Sequence, residues 1–137
     1  HYPNGFDNRN PEVAKSLPWT SGSMLSAARH VLRHQLPVAA SPTSGFHHAS
    51  YWQAEGFCTF NGLMVTVLAL RAEGMQGQIG ILDCDEHYGN GTDNILEQLG
   101  VPDIVHYTYG AEQLYRGQGE MWLSKLPRIL EQFKGCK

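Results

Sequence analysis

Residues 81–92 read ILDCDEHYGNGT and hold the side chains of this chain best suited to chemistry. In a strand side chains alternate, so Asp83, Asp85 and His87 share one side. Cys84 and Glu86 then take the other. A carboxylate and an imidazole two residues apart at a strand end can both reach one divalent ion. Oxygen plus nitrogen ligation with an open position suits zinc, which makes hydroxide available near neutral pH. Asp83 lies deeper in the strand and is better placed to accept a hydrogen bond from a histidine than to bind metal. The plain rival is a surface Asp/His cluster in a Gly-rich turn, since GNGT forces a sharp bend for any purpose.

Two further segments carry candidates. Residues 44–48 read SGFHH, and adjacent His47 and His48 in a Gly-containing loop can act as general base and electrostatic helper. Two ordinary polar loop residues is the alternative. Residues 56–61 read GFCTFN, where Gly56 allows close backbone approach and Phe57 can wall a narrow channel. A helix start with core aromatics explains the same letters. Cys58 is most simply a small core residue. His30 and His34, one helical turn apart, read as a solvated helix face, and His106 as a packed strand histidine.

The elements that must position these groups follow from periodicity. Residues 1–19, rich in Asn, Pro and Gly, read as an irregular arm. Ser21 or Ser23 can cap a helix through Met24, Leu25, Ala28, Val31 and Leu32. Residues 36–40 read as a short buried strand leading into the loop of His47 and His48. Residues 60–71 form a helix ended by Glu73 and Gly74. Residues 78–84 (QIGILDC) are the clearest central strand. A helix over 92–99, a strand over 104–109 and an amphipathic helix over 120–133, bent at Pro127, complete the chain. Helices and strands alternate, which predicts an α/β fold: a three-layer parallel sheet with helices on both faces. Ligand sites in such sheets lie beyond the carboxyl ends of the strands, where both His47-His48 and Asp85-His87 fall.

Composition bounds the rest. The 137 residues suit one compact domain with its own core, and 42% hydrophobic with 17% charged residues reads as globular. A net charge of -3 without a Lys/Arg cluster argues against a general binder of nucleic acid or anionic membranes. No apolar run is long enough to span a bilayer. Three widely spaced cysteines (Cys58, Cys84 and Cys136) make no disulfide framework, so a reducing, cytoplasmic setting is the expectation. The chain begins at His1 without a signal-peptide layout.

Taken together, Pro42 with SGFHH, then GFCTFN, then LDCDEHYGNGT, in this order and spacing, resemble the histone deacetylase and acetylpolyamine amidohydrolase superfamily. The resemblance is nearest its bacterial, class II-like branch and runs from about Trp19 to the C-terminus. It implies an arginase/deacetylase fold and zinc-assisted hydrolysis of an acetylated amine, whether acetyl-lysine, acetylpolyamine or another small amide. By the same resemblance, Asp85 and His87 are zinc ligands, His47 and His48 the tandem catalytic histidines, and Asp83 the aspartate that orients His47. Asn90 is the partner of His48, with asparagine rather than aspartate pointing to class II. Gly56 and Phe57 form the wall of the acyl-lysine channel. Family members also hold a structural potassium ion through the backbone around residues 83–87. Here His106 stands where a small hydroxyl is usual, and Tyr88 where a second histidine is common. An arginase-like manganese pair would want a carboxylate at position 89, which is Gly89, so one metal is favoured over two.

The family's third zinc ligand, an aspartate on a later strand, and its transition-state tyrosine match nothing after His87, since Asp93 and Asp103 come too early. The expectation is therefore a partial catalytic domain, incomplete on its C-terminal side. It is either a deacetylase completed by further chain or by a second subunit, or an inactive module that folds, self-associates and binds metal weakly.

Overall fold

The computed structural model describes residues 3–112 and 117–137. The start of the N-terminal arm, residues 1–2, lies outside them. The order is α1 (Pro11–His34), α2 (Gly62–Ala72), β1 (Ile79–Asp83), α3 (Asn90–Leu99), β2 (Ile104–Thr108), a 3-10 turn (Tyr109–Glu112) and α4 (Gly119–Glu131).

The α/β class holds, with two local corrections. The first concerns the arm expected through Trp19, which is irregular only up to Asn10. The Asn10 side chain accepts the Glu12 amide, Pro11 takes the first turn where no N–H is needed, and Glu12 adds an acid near the positive helix end. These signals outweigh Ser21 and Ser23, which lie inside the helix. Pro18 is carried within α1 and leaves the Ala14 carbonyl without its usual donor.

The second correction concerns residues 36–40, which form no strand. Val38 is 73% exposed, and among the described residues the sheet contains only β1 and β2. An apolar run becomes a strand only where a neighbour takes up its N–H and C=O groups. The loop of His47 and His48 is therefore not hung from a strand end, and its anchoring comes from elsewhere.

The described residues gather into two compact units. The first comprises residues 1–75 and 90–99 and holds α1, α2 and α3. Its interior is Ala49, Cys58, Met64, Val67, Leu70 and Ile95, with the polar groups Asn61, Thr66 and Thr92. α2 is capped by Asn61, whose side chain accepts the Met64 amide at 3.1 Å. Arg29 of α1 forks onto Glu73 just past α2, and each side chain is only half covered.

The second unit comprises residues 76–89 and 100–137. β1 and β2 pair in parallel, with Ile79 opposite Ile104 and Asp83 opposite Thr108. The connection between them runs through α3, the crossover that parallel strands require. At the other edge of β1, Lys137 donates to the Gln78 carbonyl at 2.8 Å and accepts from Gly80 at 3.3 Å. Ile79, Ile81 and Ile129 are its buried apolar residues. Trp122 of α4 donates to the Tyr107 hydroxyl at 2.8 Å and stacks edge-on to Tyr109. No described helix is long and apolar enough to cross a membrane.

Candidate functional site

The residues singled out from sequence divide between the two units. His47, His48, Gly56, Phe57 and Asn90 belong to the first, and Asp83, Asp85 and His87 to the second.

In the first unit, His47 and His48 lie in a turn closed by the Ala49 amide on the Phe46 carbonyl. His47 is buried, and the two ring centroids lie 4.0 Å apart with their planes tilted by 44°. The start of α3 holds this turn in place of a strand. The Thr92 amide donates to the His47 carbonyl at 3.1 Å. Gly91 lies against the His48 backbone so closely that a Cβ there would overlap it. Asn61 completes the anchor, donating from Nδ2 to the Ala49 carbonyl and to Thr92 Oγ1 while its Oδ1 caps α2. Thr92 is fully buried, so these bonds form away from competing water, where a missing partner is costly.

The Nδ1 of His48 lies 2.6 Å from Asn90 Oδ1. The amide of Asn90 in turn donates from Nδ2 to Glu55 Oε1 at 2.6 Å. Gly56 and Phe57 occupy the two central positions of a tight turn between Glu55 and Cys58, with φ of +55° and +63°. Left-handed backbone is easy for glycine and strained for a bulky residue. A Cβ at Gly56 would run into the His48 ring. Phe57 is 72% exposed and packs against Phe6 with ring centroids 5.7 Å apart, while its amide donates to the Gly5 carbonyl.

In the second unit the geometry departs from simple strand alternation. β1 ends at Asp83, and the two following candidates are placed by side chain-to-backbone turns. Asp83 Oδ1 accepts the Asp85 amide at 3.0 Å, and Asp85 Oδ1 accepts the His87 amide at 2.8 Å. The outcome still brings Asp85 Oδ1 and His87 Nδ1 within 3.0 Å of each other, both exposed. The Gly89 amide donates to Thr108 Oγ1, and a Cβ at Gly89 would meet Asp83 Oδ2 at 2.5 Å, so that carboxylate would have to shift. Partial desolvation and the Asp83 charge push the Cys84 thiol above its ordinary value, which keeps it a poor thiolate.

Two protein ligands on one tetrahedral zinc stand roughly 3.3 Å apart, so the Asp85–His87 pair fits two corners of such a site. Among the described residues no group of three or more His, Cys, Asp or Glu could hold a metal. Residues that sequence reasoning passed over are Glu55, Asn61 and Thr92. Only the position of Asn61 before the apolar run of α2 gave a signal, as a helix cap.

The histone deacetylase domain model matches residues 8–122. The chain is 48% identical over 108 residues to histone deacetylase 4 of Caenorhabditis briggsae, covering 76% of this chain and 11% of that protein. It is 32% identical over 86 residues to a probable deacetylase of Methanothermobacter thermautotrophicus, covering 63% and 26%. The solved HD domain of HDA15 superposes with a TM-score of 0.59 at 27% identity, over 71% of this chain and 27% of that one. The chain thus spans less than a third of the length of these relatives. Its shared fold is that of the deacetylase domain, and it is a deacetylase-like protein. With the family model matched over most of its length, this chain belongs to the histone deacetylase domain family.

Proposed function

We propose that this chain supplies the proton-transfer residues and two zinc ligands of a deacetylase that hydrolyses an acetylated amine, with acetyl-lysine the first substrate class to test. The observation that carries the reading is the 2.6 Å pair of His48 Nδ1 and Asn90 Oδ1. Asp85 and His87 are the residues that would hold the zinc ion. Bound zinc supplies Lewis acidity, polarising the acetyl carbonyl and acidifying water.

The rest is the work of the chain's own side chains. His48, bonded through Nδ1, presents Nε2 to accept the proton of the attacking water and return it to the leaving amine. His47, whose ring lies beside it, tempers the charge that develops, and Asp83 is assigned the orientation of His47. The Gly56–Phe57 turn gives the acyl chain an aromatic wall. A structural potassium ion near residues 83–87, a cytoplasmic setting and association with a second copy belong to the same reading.

The test is hydrolysis of an acetyl-lysine peptide together with zinc content, in the chain alone and with any longer form from the same gene. Stoichiometric zinc and turnover that falls about 10²–10⁴-fold in His48→Ala support it. A rival is favoured by one observation, that the described residues include no three-ligand group. On that view the chain is a non-catalytic module. Neither zinc nor turnover in any form of the protein would decide for it.

A further inference from the structure

Glu55 has no part in the assignments above, yet it ends a chain of bonds that begins at His48. Asn90 lies between them, 2.6 Å from His48 Nδ1 through Oδ1 and 2.6 Å from Glu55 Oε1 through Nδ2. The two ends of an amide have almost the same shape, and one end donates while the other accepts. The neighbours of Asn90 therefore decide which way it faces. A carboxylate can only accept, so the end facing Glu55 is the NH₂. The oxygen is left facing His48, and it can be bonded only by a proton on Nδ1. Neutral His48 then carries its hydrogen on Nδ1 and leaves Nε2 unprotonated.

We propose that Glu55 is a positioning residue that locks the Asn90 amide and thereby sets the His48 tautomer with Nε2 as proton acceptor. Glu55 is itself well held. Its amide donates to the Cys58 carbonyl at 3.0 Å, and Cys58 donates back at 2.8 Å. These bonds close the strained Gly56–Phe57 turn, and Phe57 is tied to Gly5. The same turn thus touches His48 twice, by Gly56 against the ring and by Glu55 through Asn90. With a neutral partner in place of Glu55, the amide of Asn90 can turn over, present Nδ2 to the ring, and place the hydrogen on Nε2, where it blocks proton uptake.

The importance of this tautomer rests on the proposed function, but the tautomer itself can be read without activity. Long-range ¹H–¹⁵N spectra of the imidazoles in the full chain, at a pH where His48 is neutral, report which nitrogen carries hydrogen. The wild type should show His48 protonated on Nδ1. Glu55→Gln keeps size and shape but adds a donor, so the ratio should move toward the Nε2–H form by roughly fivefold, the worth of exchanging a charged for a neutral bond. Glu55→Ala should move it at least as far. A wild-type His48 protonated on Nε2, or an unchanged ratio in either variant, overturns the proposal. Failure of the chain to hydrolyse any acetylated amine would count against the proposed function and leave this readout intact.

Discussion

His48 and Asn90 meet because the turn carrying the histidines and the first turn of α3 share a backbone bond, from Thr92 to His47, and residue-scale predictions follow from that closeness. Asn90→Asp keeps an acceptor for His48 but sets a carboxylate against Glu55, where the amide nitrogen Nδ2 now donates across 2.6 Å. It should cost about 1 kcal/mol in urea unfolding, and Glu55→Gln in the same chain should recover most of it. Additive losses in the double variant would show that the two side chains do not interact. Gly56→Ala meets a harder obstacle, since φ is +55° and the new Cβ runs into the His48 ring. A loss of about 1–3 kcal/mol is expected, with displaced His48 resonances. A Gly56→Ala chain as stable as wild type would contradict the packing of the turn on His48.

At the scale of elements, Asn61 does two jobs from one side chain. It caps α2 and also fixes the His47–Ala49 turn to α3 through buried bonds. Asn61→Ala should therefore cost about 2–4 kcal/mol, more than a cap alone, because buried partners are left without a donor. A cost below 1 kcal/mol would mean that the turn is held without it. The 3-10 turn and α4 are joined by Glu112 and Lys125 at 2.8 Å. The bond from Lys125 holds the Glu112 carboxyl below the usual carboxylate range, although neighbouring bulk pushes the other way. A depressed folded value gives stability that is complete above the unfolded pKa and fades as pH falls through the folded one. In a carboxyl ¹³C titration Glu112 should have a midpoint below the usual ~4.3, rising toward it in Lys125→Met. Equal midpoints in the two proteins would remove the pair from any account of acid stability.

For the whole molecule, the two units have unequal interiors. The first buries Met64, Val67, Leu70, Ile95, Ala49 and Cys58, and the second Ile79, Ile81 and Ile129. Burial of apolar surface is the main favourable term in folding. Native-state hydrogen exchange should accordingly find the slowest amides in α2, with β1 and β2 opening at lower free energy. Identical opening energies throughout would mean one cooperative body.

Much of the site was legible in the residues themselves. Histidines and carboxylates at set spacings, and glycines beside them, announce chemistry by type, and the 3.6- and 2-residue rhythms located α2, β1, α3, β2 and α4 to within a few positions. Asn10, Pro11 and Glu12 also spelled the start of α1, but a run of Asn, Pro and Gly before them masked it. What tertiary structure decided is what depends on distant neighbours. Residues 36–40 had the letters of a strand and no partner to pair with. Asp85 and His87 converge through turns closed by their own side chains rather than by strand alternation. Glu55 reaches Asn90 across 35 positions, and Asn61 reaches Thr92 across 31. No local pattern encodes such a bond, because its worth lies in the exclusion of alternatives by a packed neighbour. The sequence by itself determined which groups could act and the lineage they come from. The fold determined that Asn90 lies between His48 and Glu55, in reach of both.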